Sequence, residues 1–175
     1  MSVSPQLRAL RVNAVDLLRA PGAIRDVEVV IGSAAQAELD LTDARIDGDI
    51  VVAVEVGSTL DGLTVRGEVR VPWSGECRRC LAVVTGVAVG EVDELYVADG
   101  VVRDDAVAFE GDQLDLAPVV REYALLELPD APLCRDDCAG ICPVCGADRN
   151  AGACGCDTTV RDERWAVLDQ LRLDE

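Results

Sequence analysis

Histidine and lysine are absent from this chain, and aromatic residues are scarce: one Phe, two Tyr and two Trp. Without histidine there is no imidazole base, so a Ser–His–Asp or Cys–His nucleophile is excluded. Without lysine no GxxxxGK[ST] phosphate loop can exist. Also missing is any apolar run of the roughly 20 residues that spans a bilayer. The first twenty residues set Arg8, Arg11 and Arg19 among apolar ones, so no secretory leader is expected. These absences predict a cytoplasmic, non-catalytic protein with no membrane and no small-molecule substrate. What apolar content there is amounts to half the residues, nearly all Val, Leu and Ala, which excludes wholesale disorder and suits strands packed by β-branched side chains.

Charge is lopsided. The chain carries 33 acidic residues against 16 basic ones, all arginine, for a formal net charge of −17. Such a surface repels phosphate, and phosphate contact dominates non-specific nucleic-acid affinity. A basic protein partner fits this charge better than bare RNA or DNA; the plainer reading of the charge is solubility.

Along the chain, Val12 to Leu18 has near-helical apolar spacing closed by Pro21-Gly22, and predicts a short helix or turn. Val27 to Ile31 reads as a strand, followed by polar and acidic residues up to Asp49. Leu63, Val65, Gly67, Val69 and Val71 alternate with Thr64, Arg66, Glu68 and Arg70, the period of a half-buried strand. With Ile50 to Val56 before it and a turn at 57–62, this predicts a hairpin. Val83 to Val89, leading to Leu95–Val97, predicts another strand. The acidic stretch from Asp99 to Asp112 reads as a loop. Apolar residues from Leu116 to Leu128 mark one helical face, with Asp115 as cap and Pro118 in the first turn. A last helix is predicted from about Asp162 to Leu173, with Trp165, Leu168 and Leu171 on one side. The expected architecture is α+β: an antiparallel sheet, as a sandwich or partial barrel, with a packed helix over residues 1–130. A cysteine-rich zinc segment and terminal helix follow over residues 131–175.

Six of the eight cysteines fall between Cys134 and Cys156. Cys142-Pro143-Val144-Cys145-Gly146 is a knuckle turn: two thiolates three residues apart can bite one ion, and the glycine lets backbone N–H groups approach sulfur. Tetrahedral zinc needs four soft ligands, and either Cys154 with Cys156 or Cys134 with Cys138 can complete the set. Six thiolates exceed one mononuclear site. Either two are spare, or Cys77 and Cys80 join them and eight thiolates hold two ions. An all-cysteine set suits a closed structural site rather than a catalytic one. Disulfides and an iron–sulfur cluster are the competing readings.

Cys77-Arg78-Arg79-Cys80 lies between two β-patterned segments, not at the strand-to-helix junction of thioredoxin-like redox pairs, so ligation or a structural role ranks above redox sensing. Arg66, Arg70, Arg78 and Arg79 supply the local basic residues, and are the candidates for contact with RNA or a partner; their alternative role is to balance neighbouring acids.

The order of these features resembles a known family. A β-region ending in CRRCL is followed by an acidic loop and a helix carrying DLAPVVRE and ending in LELP. Then come PLCRDDCAGICPVCG, CGC and a closing RDERW helix. The whole is similar to the YceD family of bacterial large ribosomal RNA subunit accumulation proteins, over nearly the full chain. One departure is Glu163, where the family pattern has proline. The resemblance implies a non-catalytic factor supporting accumulation of large-subunit ribosomal RNA, with large-subunit precursors, ribosomal proteins or rRNA as partners. It also implies that structural zinc stabilises a segment rather than carrying the activity. The alternative class is a metal-stabilised protein-interaction module unconnected to ribosomes.

Overall fold

The computed structural model describes residues 4–41, 45–98, 104, 106–109, 111–158 and 164. The helix expected from Asp162 lies outside the described residues.

Three short elements open the chain: α1 (Pro5–Ala9), β1 (Arg11–Asn13) and α2 (Ala14–Leu18). The Ser4 hydroxyl caps α1 by accepting from the Leu7 N–H, and the Asn13 side chain caps α2 by accepting from the Val15 N–H at 3.0 Å. The expected helix at Val12 to Leu18 therefore begins only at Ala14, because Val12 pairs as a strand with Leu114. β2 (Ile24–Ile31) follows, then α3 (Ser33–Glu38). That helix sits in the stretch read as merely polar; it buries Ala35 and Gln36, whose amide donates to the carbonyls of Ile31 and Gly48.

The sheet is built from β2, β3 (Ile50–Ser58), β4 (Leu63–Glu76), β5 (Val83–Ala98) and β6 (Val107–Phe109), in that order. The alternating segments form the expected antiparallel hairpin. Thr59 and Gly62 close its turn through mutual hydrogen bonds at 2.9–3.1 Å. β5 and β6, however, run parallel. The sheet is therefore mixed rather than purely antiparallel, and Val107–Phe109 corrects the reading of 99–112 as all loop. The reason is local: Phe109 is apolar and buried in the core. A separate two-stranded ribbon joins β1 to β7 (Gln113–Asp115).

One face of the sheet carries Val52, Val56, Leu63, Val65, Val69 and Val71, all fully buried. Against it pack Leu7 and Leu10, Leu17 of α2, and Val119, Val120 and Ala124 of α4 (Ala117–Leu126). Burying each such side chain contributes roughly 1.5–3 kcal/mol before entropy is subtracted. The Asp115 carboxylate accepts from the Ala117 N–H at 3.0 Å and fixes the start of α4.

β4 and β5 outrun the rest of the sheet. β3 pairs with β4 only as far as Arg70, while the β4–β5 ladder continues to Glu76 and Val83. The extra six residues form a projecting arm of roughly 20 Å. Its tip is Cys77-Arg78-Arg79-Cys80. No helix among the described residues is long and apolar enough to cross a membrane.

Candidate metal centres

The arm's tip and the segment after α4 meet. The Arg78 N–H donates to the Pro132 carbonyl at 2.9 Å, and the Ile141 N–H to the Arg79 carbonyl at 3.0 Å. The Arg79 guanidinium donates to the carbonyls of Asp136 and Cys138, both at 3.0 Å. These contacts bring Cys134 and Cys138 onto Cys77 and Cys80. A second group gathers Cys142, Cys145, Cys154 and Cys156. All eight thiols are thus used, four and four. Of the pairings open to sequence reasoning, Cys142 and Cys145 take Cys154 and Cys156 as companions, and Cys134 and Cys138 take the distant pair.

Within each group the four sulfurs lie within 4.8 Å of one another. In the first, Cys77 and Cys138 are 3.9 Å apart and Cys80 and Cys134 3.6 Å. Zinc–thiolate bonds of about 2.3 Å place tetrahedral sulfurs about 3.8 Å apart, so the spacing fits one four-coordinate ion. It is far outside the roughly 2.05 Å of a disulfide.

Both groups are built on the same turn. In the first, the Cys77 N–H donates to the Ala82 carbonyl at 2.8 Å and the Leu81 N–H to the Cys77 carbonyl at 2.9 Å. In the second, the Cys142 N–H donates to the Ala147 carbonyl and the Gly146 N–H to the Cys142 carbonyl, both at 2.8 Å. The fifth residue is left-handed in each, with φ of 62° at Leu81 and 73° at Gly146. Glycine suits that conformation and leucine does not. This hidden repeat explains why CRRCL reads as an ambiguous lone pair: the glycine that marks a knuckle is replaced by Leu81.

Backbone amides aimed at sulfur tune the thiols. The N–H of Cys80 holds Cys77 down to about 6, and that of Cys145 does the same for Cys142. Sharing with neighbouring sulfurs works the other way. Cys134, beside Cys138, and Cys156, beside Cys145, are pushed up to about 12. Four thiolates this close cannot all be anionic without a cation among them.

Asn150, four residues before Cys154, supports the first group. Its side-chain amide donates to the Cys138 sulfur at 3.5 Å and to Asp148, while its oxygen accepts from the Ala139 N–H at 2.8 Å and from Arg135 at 2.7 Å. A residue of the second group's segment therefore orients a cysteine of the first. A lone asparagine gives no signal for such a role.

The four arginines are not one surface. Arg66 pairs with Asp93 at 2.9 Å, which raises the guanidinium's pKa, and Arg70 pairs with Glu68 at 3.3 Å. Arg78 and Arg79 lie at the arm's tip, roughly 30 Å or more of extended strand away from Arg66. Arg79 is engaged by backbone carbonyls, and Arg78 is exposed.

The family model described as large ribosomal RNA subunit accumulation protein YceD matches residues 65–172, from β4 through both cysteine groups. An uncharacterized protein of Mycobacterium tuberculosis is 32% identical over 168 residues, covering 93% of this chain and 81% of that protein. A Mycobacterium leprae protein, also uncharacterized, is 34% identical over 134 residues, 73% of this chain and 62% of its own. A chloroplastic YCED homolog of Arabidopsis thaliana, named for large ribosomal RNA subunit accumulation, is 30% identical over 60 residues, 34% of this chain and 19% of its own. No solved structure matches.

Proposed function

The chain belongs to the YceD family, and from that membership we propose that it is a non-catalytic factor supporting accumulation of large-subunit ribosomal RNA during subunit assembly. The observation that carries the reading is the family match from β4 to the terminal segment. The absence of histidine and lysine from the whole sequence supports a role without catalysis. The net charge of −17 favours basic ribosomal proteins over naked rRNA as the direct contact. Arg78, exposed at the arm's tip, is the one of the four arginines best placed to reach a phosphate. Arg66 and Arg70 are already ion-paired, and Arg79 holds the chain together.

Each cysteine group holds one structural zinc in this reading. Cys77, Cys80, Cys134 and Cys138 form the first set; Cys142, Cys145, Cys154 and Cys156 form the second. Supporting this are the all-thiolate composition and sulfur spacing of a mononuclear tetrahedral site with no open position. The ions would fix the terminal segment to the arm and supply no chemistry.

The test is co-purification of a tagged, metal-loaded protein from growing cells. Large-subunit precursor particles or their proteins should accompany it, with two zinc ions per chain by mass spectrometry. Recovery free of ribosomal components would contradict the assembly role, and iron in place of zinc would contradict the metal assignment.

A further inference from the structure

Among the described residues, no helix packs on the sheet's second face, opposite the core. The register lays its side chains out in rows that cross the strands. Val30, Val51, Arg70 and Val89 share one row. The next holds Glu28, Ala53, Glu68 and Glu91, and the one after holds Asp26, Glu55, Arg66 and Asp93. Two neighbouring rows thus present six carboxylates against a single arginine, which is itself paired to Asp93. Beside them the valines are uncovered: Val30 is 53% exposed, Val51 40% and Val89 38%, with Val87 at 60% in the row beyond.

Shallow depressions mark the acidic rows. A depression of about 410 Å³ lies between Glu68, Glu91, Asp93 and Arg66. Another of about 290 Å³ lies between Asp26, Glu28, Glu55 and Arg66. Both share the bare backbone of Gly67 as floor. Gly67 sits at φ 150°, where an added Cβ would run into the Ala53 carbonyl.

We propose that this face docks a basic amphipathic helix of a protein partner. The helix would lie across the strands, its apolar flank on the valine row and its Arg or Lys side chains reaching the two acid-walled hollows. The rows are spaced roughly 7 Å apart and a helix is about 10 Å wide, so one helix can touch the valine row and the acidic rows together. Nucleic acid is the wrong occupant, since phosphates would face carboxylates. The inference rests on the assembly reading only in expecting that partner among ribosomal proteins.

The test is an NMR titration of the full-length, zinc-loaded protein. The probe is a synthetic helical peptide with leucines along one flank and arginines along the other. Saturable shifts should be confined to the outward residues of β2–β5. Triple charge reversal, Glu28→Arg with Glu55→Arg and Glu91→Arg, should weaken binding at least about tenfold, as should serine in place of the peptide's leucines. The three glutamates are polar and at the surface, so the variant should keep the wild-type spectrum elsewhere. Unsaturable shifts, shifts elsewhere on the acidic surface, or an rRNA fragment bound at this face would overturn the proposal. Failure here would leave the family's rRNA role standing, whereas a normal rRNA ratio on depletion would refute that role and leave peptide binding untouched.

Discussion

Replacing Cys80 and Cys134 together by serine should lower the melting temperature far more than replacing Cys145 and Cys154. The first pair closes a loop of roughly 55 residues across the arm, β5 and α4; the second closes roughly 10. In the chain-entropy treatment of a cross-link, such loops correspond to about 4 and about 3 kcal/mol of restraint on the unfolded chain. Location widens the gap. The first group includes the buried Cys77 and Cys138, and its segment is bonded to the arm through Arg78, Arg79 and Ile141. The second is drawn from one contiguous stretch, with Cys145 and Cys154 exposed. Loss of the second ion should therefore melt that stretch alone and leave the sheet's transition nearly in place. For a chain of this size, about 4 kcal/mol corresponds to roughly 8–16 °C. Calorimetry of the zinc-loaded variants, paired with limited proteolysis, reads both effects. The first variant should lose 8–16 °C by this reckoning and be cut after α4. The second should stay within a few degrees and be cut only beyond Cys138. Equal shifts, or none in the first, would refute the claim that the first ion ties the terminal segment to the sheet.

Zinc binding at about pH 7.5 should release protons, since Cys134 and Cys156 are pushed up to about 12 and must give theirs up to the ion. Stabilisation by metal should then be complete at high pH and lost as pH falls through about 6, where Cys77 and Cys142 also protonate; titration calorimetry in buffers of different ionisation enthalpy measures the release, and a heat independent of buffer would contradict it. Leu81→Gly should raise stability by about 0.5–1 kcal/mol by relieving a left-handed leucine, as Gly146 does in the second turn, and a lower melting temperature would count against the strain. Gly67→Ala should cost several kcal/mol by forcing β3 and β4 apart at the Ala53 carbonyl, to be read as loss of soluble protein or a fall of many degrees.

Period-two alternation made β4 legible, because Val65, Val69 and Val71 are buried on one face and Thr64, Arg66, Glu68 and Arg70 lie on the other; β3 and β5 carry the same period less cleanly, since Val51, Val87 and Val89 lie on the outward face. The α4 helix was legible for the same reason at the helical period; its N-cap position falls to Leu116, one residue after the expected Asp115, whose carboxylate still accepts from the Ala117 N–H. Short elements were not: α3 has too few residues for a period, and β6 is three residues held by the packing of Phe109. The parallel β5–β6 pairing depends on where the intervening chain returns, which no local pattern records. At the candidate metal centres the cysteines were plain from composition, whereas their partition into two groups was not. Cys77 and Cys80 reach Cys134 and Cys138 only because β4 and β5 run on past the rest of the sheet. The two turns hid their kinship behind one substitution, leucine for glycine at the left-handed position. The arginines read as one patch in sequence are spread along an extended strand, and neighbouring carboxylates engage two of them.

The most direct measurement of the central claim is the ratio of large- to small-subunit rRNA in cells depleted of this protein, with subunits separated on a sucrose gradient. A selective fall in large-subunit rRNA and in free large subunits is expected, restored by the wild-type chain. An unchanged ratio and gradient profile would contradict it.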